Sequence, residues 1–99
     1  MGRILRRPQF VEDLRTVWNF IAQDSEDRAD AFVLELERRY RLLADNPHLG
    51  PQRFPRYPGM RLLAFRRYII IYTPLADGSG IELVRLLNAA RDYRRYFDD

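Results

Sequence analysis

At 99 residues, with 46% hydrophobic and 31% charged side chains, the chain has material for one hydrophobic core, because a domain this short buries only about two-thirds of its unfolded surface. Residues 1–99 are therefore read as a single domain. There is no cysteine, which removes disulfides, thiolate zinc sites and cysteine nucleophiles together. The net charge is +3 and all 17 basic side chains other than His48 are arginines, so the chemistry that needs a tunable amine is missing while bidentate pairing with carboxylate or phosphate is available.

The arginine excess lies in the second half of the chain, where an anionic partner is expected to dock. No apolar run approaches the roughly 18 residues of a membrane span. The basic start, Met1 to Pro8, is not followed by a signal-peptide core. A cytoplasmic protein without membrane contact is expected.

In chain order, Ile4-Leu5 suits a short edge strand. Pro8 suits the first turn of a helix, where its missing N–H costs nothing. Phe10, Leu14, Val17, Trp18 and Ile21 recur at spacings of three and four, with Glu12 and Asp13 near the positive end of the helix dipole. Asp24 and Ser25 offer a cap for a second helix, Glu26, Asp27 and Asp30 load its start, and Ala29, Phe32, Val33, Leu36, Tyr40 and Leu43 form its apolar stripe. So short a connection forces an antiparallel helical hairpin. Asn46-Pro47 ends it.

Residues 48–59 hold too much proline and glycine for helix or inner strand. Three strand-like runs follow, Met60 to Phe65, Tyr68 to Thr73 and Ile81 to Leu87, joined tightly at Arg66-Arg67 and loosely over 74–80. They predict an antiparallel meander. Ala89 to Phe97 has helical spacing and predicts a short terminal helix. The expected fold class is α+β: an N-terminal helical hairpin packed on a small antiparallel sheet, with a short C-terminal helix.

Both faces of that sheet are apolar. Tyr68, Ile70 and Tyr72 alternate with Ile69 and Ile71, and Ile81, Leu83 and Leu87 alternate with Val84 and Leu86. One helical hairpin covers one face. The other needs the chain's own C-terminal segment, a second subunit or a foreign partner, and a partner is favoured over self-coverage.

With these elements in place, the chain resembles the RelE/ParE toxin superfamily over nearly its whole length. Four segments carry the likeness: Glu12-Asp13-Leu14 with Val17-Trp18-Asn19-Phe20-Ile21-Ala22; Leu42-Leu43-Ala44-Asp45-Asn46-Pro47 followed by Leu49-Gly50; Phe65-Arg66-Arg67-Tyr68-Ile69-Ile70-Ile71-Tyr72; and Leu86-Leu87-Asn88-Ala89-Ala90-Arg91-Asp92. The resemblance implies a type II toxin encoded beside an antitoxin whose C-terminal segment wraps the toxin and lays apolar residues in its groove. Within the superfamily the RelE branch cuts messenger RNA on the ribosome, and the ParE branch is associated with poisoning DNA gyrase.

The residues favour the second branch. Cutting RNA needs a group to take the 2′-hydroxyl proton and another to protonate the leaving oxygen. Arg61, Arg66, Arg67, Arg85 and Arg91 with Tyr93 or Tyr96 imitate such a cluster, but arginine stays protonated and is a poor base. His48 alone, in a loop and without cysteine, makes no metal site. Asn88 stands where ParE-like sequences often have histidine, which removes another acid or base. Arg85 shares strand parity with Ile81, Leu83 and Leu87, so it needs a buried anionic or carbonyl partner, with Asp92 the intramolecular candidate. Arg91-Asp92 reads equally as a target contact and as an ion pair at a helix start. Five arginines and no acid between Arg53 and Arg67, interleaved with Phe54, Tyr57, Phe65 and Tyr68, suit phosphate contacts and stacking, or equally a half-buried sheet face. Trp18, Phe32 and Tyr40 are read as core.

The expected function is thus a non-enzymatic inhibitor of DNA gyrase, neutralised by an acidic, partly disordered ParD-like antitoxin in a heteromeric complex such as a heterotetramer. A ribosome-dependent endoribonuclease of the RelE type is the alternative, and a nucleic-acid-binding module without toxicity comes third; direct nucleic-acid binding is not expected. No cofactor, metal or catalytic residue is assigned. Antitoxin contacts are assigned to Arg61, Leu63, Phe65, Tyr68, Ile70, Tyr72 and Arg85, and target contacts to Arg66, Arg67, Arg91, Asp92, Tyr93 and Tyr96.

Overall fold

A computed structural model describes residues 2–92. In chain order the elements are strand β1 (Arg3–Arg6), helices α1 (Pro8–Ala22) and α2 (Glu26–Asp45), and strands β2 (Arg61–Phe65), β3 (Tyr68–Pro74) and β4 (Gly80–Asn88). Residues 89–92 begin a further helical turn. The rest of the expected terminal helix, with Tyr93 and Tyr96, lies outside the described residues.

Pro8 opens α1 after an extended Arg7, with no side-chain cap. Of the two cap candidates for α2, Ser25 serves: its backbone is extended and its Oγ accepts the Arg28 N–H at 3.2 Å. Glu26 and Asp27 then sit in the first turn, where the helix dipole favours negative charge. The hairpin is antiparallel. Phe10, near the start of α1, meets Tyr40 near the end of α2 edge-to-face at 5.5 Å, while Trp18 Nε1, near the end of α1, donates to Asp30 at 3.0 Å.

The sheet runs β1-β4-β3-β2. The three later strands form the expected antiparallel meander. The edge strand expected at Ile4-Leu5 is β1, and it lies parallel to β4, so the sheet is mixed rather than wholly antiparallel. Pairing slips by one residue in β4: Ile71 faces Arg85 and Tyr72 faces Leu83, leaving Val84 as the extra residue of a bulge. A bulge puts two successive side chains on one face. Beyond it, the parity read from the sequence is therefore reversed. Leu86 joins Ile81 and Leu83 against the helices, and Leu87 joins Val84 on the opposite face.

The main core lies between the hairpin and the sheet. Phe10, Leu36, Tyr40, Leu43, Ile70, Tyr72, Ile81 and Leu83 are essentially inaccessible there, each large apolar side chain contributing about 1.5–3 kcal/mol by burial. A smaller cluster of Ile69, Ile71, Val84 and Leu87 occupies the other face. Its cover was expected from a partner, but part of it is the chain's own 48–59 loop and the residue after it: Phe54 is buried in this cluster, with Met60 packed on it. The sequence rightly excluded regular structure from that loop. It did not follow that the loop leaves the sheet.

Candidate functional site

Two surfaces bring functional side chains together. The first is a polar cleft of about 360 Å³ where β4 runs on past the end of β1. It is lined by Asp13, Thr16 and Val17 of α1, by Tyr68, and by Arg85, Leu86, Leu87, Asn88, Arg91 and Asp92. Asp13 organises it. One row of α1 carries Phe10, Asp13 and Val17, which turns the carboxylate toward the sheet. Asp13 Oδ2 accepts Arg85 Nε at 2.7 Å and the Leu86 N–H at 3.0 Å, while Oδ1 accepts the Arg85 terminal nitrogen at 3.1 Å and Gln9 Nε2 at 3.2 Å. Arg85 thus finds its anionic partner in Asp13 rather than Asp92. The bulge places Arg85 opposite Ile71, away from the helix-side parity assumed from the sequence, and its side chain reaches Asp13 of α1 beyond the point where β1 stops pairing with β4. The reading of Asp13 as a dipole charge gives way to this clamp; a carboxylate on an apolar helix row was the signal for it.

The second carboxylate closes the far end of the same strand edge. Asp92 accepts the Asn88 N–H at 3.1 Å and pairs with Arg91 at 3.3 Å. Asn88 caps the turn at 89–92, its Oδ1 accepting from Ala90 and Arg91 at 3.0 and 2.9 Å. That is a role a histidine at this position would fill poorly. Hydrogen bonding to Asp92 first, and its charge second, hold the Arg91 guanidinium still more firmly protonated. In both pairs the acid is the inner member: the Asp13 side chain is 10% exposed against 25% for Arg85, and Asp92 16% against 75% for Arg91. Arginine is what the cleft shows to solvent.

The second surface is the sheet face away from the helices. One depression is lined by Phe54, Tyr57, Met60, Ile71, Val84 and Arg85. Another has an apolar floor of Pro51, Leu62, Ala64, Ile69 and Ala89 beside Tyr68, with Arg53 and Arg66 at its rim. The loop forming one wall is latched to the sheet. Tyr72 accepts the Gly50 N–H at 2.8 Å and donates to the Pro47 carbonyl at 3.0 Å. Arg61 donates to the carbonyls of Gly50 at 2.7 Å and His48 at 3.2 Å. Burial pushes the Tyr72 phenol up, while the Gly50 hydrogen bond and the Arg61 charge pull it back. Only glycine fits at position 50, since a Cβ would stand 2.4 Å from the Leu62 carbonyl oxygen.

Most of the apolar residues assigned to the antitoxin lie on the helix side of the sheet. Phe65, Ile70 and Tyr72 are buried under the helices, and Leu63 and Tyr68 pack on that same core; Phe32 meets both Phe65 and Tyr68 at 5.4 Å. Parity decides this, and the set on the face away from the helices is Leu62, Ala64, Ile69, Ile71, Val84 and Leu87. Arg61 is occupied by the loop latch. Tyr68 lines both the cleft and the groove, and Arg85 lines both the cleft and the depression beside Phe54. Of the residues assigned to the target, Arg91 and Asp92 share the cleft. Arg66 and Arg67 form the neighbouring turn, tied to it where Ala89 N–H donates to the Arg67 carbonyl at 2.8 Å. Arg66 has a positive φ of 55°, pairs with Glu35 and sits 5.7 Å from the Phe65 ring centre. Phe54 and Met60 were missed because a proline-rich loop gives no periodicity by which to assign a face. Among the described residues no cluster could hold a metal ion, and no helix is long and apolar enough to cross a membrane.

The sequence model of the family described as "ParE toxin of type II toxin-antitoxin system, parDE" matches residues 4–93. No curated protein matches the chain. Among solved structures, the chain is similar to one from the chromosomal ParDE TA system from P. aeruginosa, at a TM-score of 0.70 and 16% identity, covering 89% of this chain and 96% of that one. At that identity the likeness concerns the fold.

Proposed function

Because the chain belongs to the ParE toxin family of type II toxin-antitoxin systems, we propose that it arrests growth in the cytoplasm as a non-enzymatic inhibitor of DNA gyrase, held inactive by direct binding of a ParD-like antitoxin. The observation that carries the non-enzymatic part is the condition of the polar cleft. Both carboxylates that line it accept backbone N–H groups of β4 and arginine side chains. A general base must be able to reach and take a substrate proton, and carboxylates so engaged are committed to holding the strand edge. What the cleft offers a target is arginine, suited to gripping a carboxylate and unsuited to proton transfer. The antitoxin is expected on the opposite sheet face, where an apolar groove and exposed arginines suit an acidic segment carrying apolar side chains.

The test is induction of this chain in bacteria with and without the neighbouring gene, following plasmid supercoiling and messenger RNA integrity in one culture. Altered supercoiling or DNA breaks with intact messages, relieved by the neighbour, is the expected result. Rapid message cleavage on ribosomes would move the assignment to a RelE-type endoribonuclease.

A further inference from the structure

We propose that Phe20 and Arg91, which flank the open end of the polar cleft, are the anchor by which the toxin grips its target, a protein surface that offers an apolar pocket beside a carboxylate. This rests on the inhibitor reading above and assigns its contact residues. The placement follows from helix geometry. Residues 13, 16, 17 and 20 share one face of α1, and the first three of them line the cleft. The helix runs alongside β4 in the same direction, since the Arg7 N–H donates to the Leu83 carbonyl and Asp13 accepts the Leu86 N–H. From Asp13 to Phe20 the helix climbs about 10.5 Å, whereas β4 ends at Asn88, only about 6.6 Å past Leu86. Phe20 therefore stands beyond the strand end, level with the turn at 89–92 that carries Arg91.

At 68% exposure, Phe20 is the barest large apolar side chain among the described residues. A lone exposed apolar side chain is ordinary, but this one shares its end of the cleft with an arginine held in place. The Arg91 side chain is 75% exposed, while Asn88 Oδ1 accepts its N–H and Asp92 accepts its guanidinium. A side chain fixed beforehand loses less freedom on binding. An aromatic with an arginine is also the combination on which protein interfaces concentrate their binding energy. Arg91 takes the carboxylate in its planar fork, and Phe20 fills the pocket.

Charge on either side of the pair selects a protein over a nucleic acid. The cleft arginines are backed by Asp13 and Asp92, and past Phe20 the chain exposes Asp24, Glu26 and Asp27 against a single arginine, Arg28. A duplex bringing one phosphate charge per roughly 1.7 Å meets as much repulsion as attraction on such ground. A protein surface with a carboxylate at the pocket and a basic side chain beyond it complements both ends.

Purified gyrase and the full-length toxin test this with three variants. Phe20→Ala and Arg91→Ala should each weaken inhibition of supercoiling at least about tenfold, and Phe20→Ala should melt and bind the antitoxin as the parent does. Leu34→Ala removes a side chain almost as bare, 59% exposed, from α2 and should inhibit as the parent does. Parental inhibition by Phe20→Ala, or an equal loss with Leu34→Ala, overturns the anchor and leaves gyrase inhibition standing. Binding of the parent to a short DNA duplex alone, weakened tenfold by Phe20→Ala, overturns the protein partner. A parent toxin without effect on gyrase overturns the gyrase reading instead. Growth arrest on induction then tests the anchor by itself: it stands if Phe20→Ala and Arg91→Ala no longer arrest growth, and falls if they arrest it as the parent does.

Discussion

Two buried tyrosines show how much a hydroxyl's partners matter. Tyr72 is wholly buried and its oxygen bridges the Gly50 N–H and the Pro47 carbonyl. Tyr40 is as deeply buried, yet its hydroxyl finds no partner among the described residues. Tyr72→Phe strands a buried N–H and should cost about 1–3 kcal/mol, whereas Tyr40→Phe removes an unsatisfied group and should be neutral or stabilising by up to about 1 kcal/mol. Urea midpoints of the two variants check this, and equal losses would show that burial alone sets the effect. Alkali provides a second reading. Burial foremost pushes the Tyr40 phenol up, reinforced by the Glu37 charge and opposed by Arg6. A phenol raised in the folded state contributes stability fully below the unfolded value of about 10, and that contribution is lost as pH climbs beyond it, by about 1.4 kcal/mol per pH unit. Tyr40→Phe should flatten the alkaline loss.

At the scale of elements, the link between α1 and β4 carries the site. Asp13 on the helix, Arg85 on the bulge and the Leu86 amide form one hydrogen-bonded unit, reinforced where Arg7 donates its N–H to the Leu83 carbonyl and its side chain to Glu82, each at 3.0 Å. Asp13→Ala should destabilise by about 3–5 kcal/mol, because it removes the carboxylate with which a largely buried guanidinium and the Leu86 amide bond. Replacing both residues, as Asp13→Leu with Arg85→Met, should recover much of that loss in thermal melts. Losses that add to within about 0.5 kcal/mol would show the two to be independent. Helix limits, strand runs and the two-residue turn were legible in the sequence because period, capping residues and proline act locally. The faces of β4 beyond Val84 were not, since one unpaired residue reverses all later parity and no residue type marks it. The partner of Arg85 was missed because it lies 72 residues away on α1, and the antitoxin residues were assigned to the helix side because both sets of β3 side chains are equally apolar. The parallel pairing of β1 is likewise a long-range choice that four residues cannot announce.

Across the whole molecule, charge and apolar surface are unevenly distributed. The first half, nearly balanced in charge, folds into β1 and the helical hairpin, and the second half, with its arginine excess, supplies the other three strands, the groove and its rim. In the cleft, too, each acid is the inner member of its pair and the guanidinium the outer one. Such an arrangement speeds encounter with an acidic segment before any apolar contact forms. Raising sodium chloride from about 0.05 to 0.5 M shortens the screening length from roughly 14 to 4 Å, and should slow antitoxin association by about tenfold or more while leaving dissociation nearly unchanged. Substituting Arg53 and Arg67 together by glutamate should lower the low-salt association rate and flatten its salt dependence, because both residues stand clear of the core. Stopped-flow binding of the paired proteins measures both rates. An association rate indifferent to salt, or a double variant with unaltered salt dependence, would assign recognition to the apolar floor alone and remove the arginine rim from it.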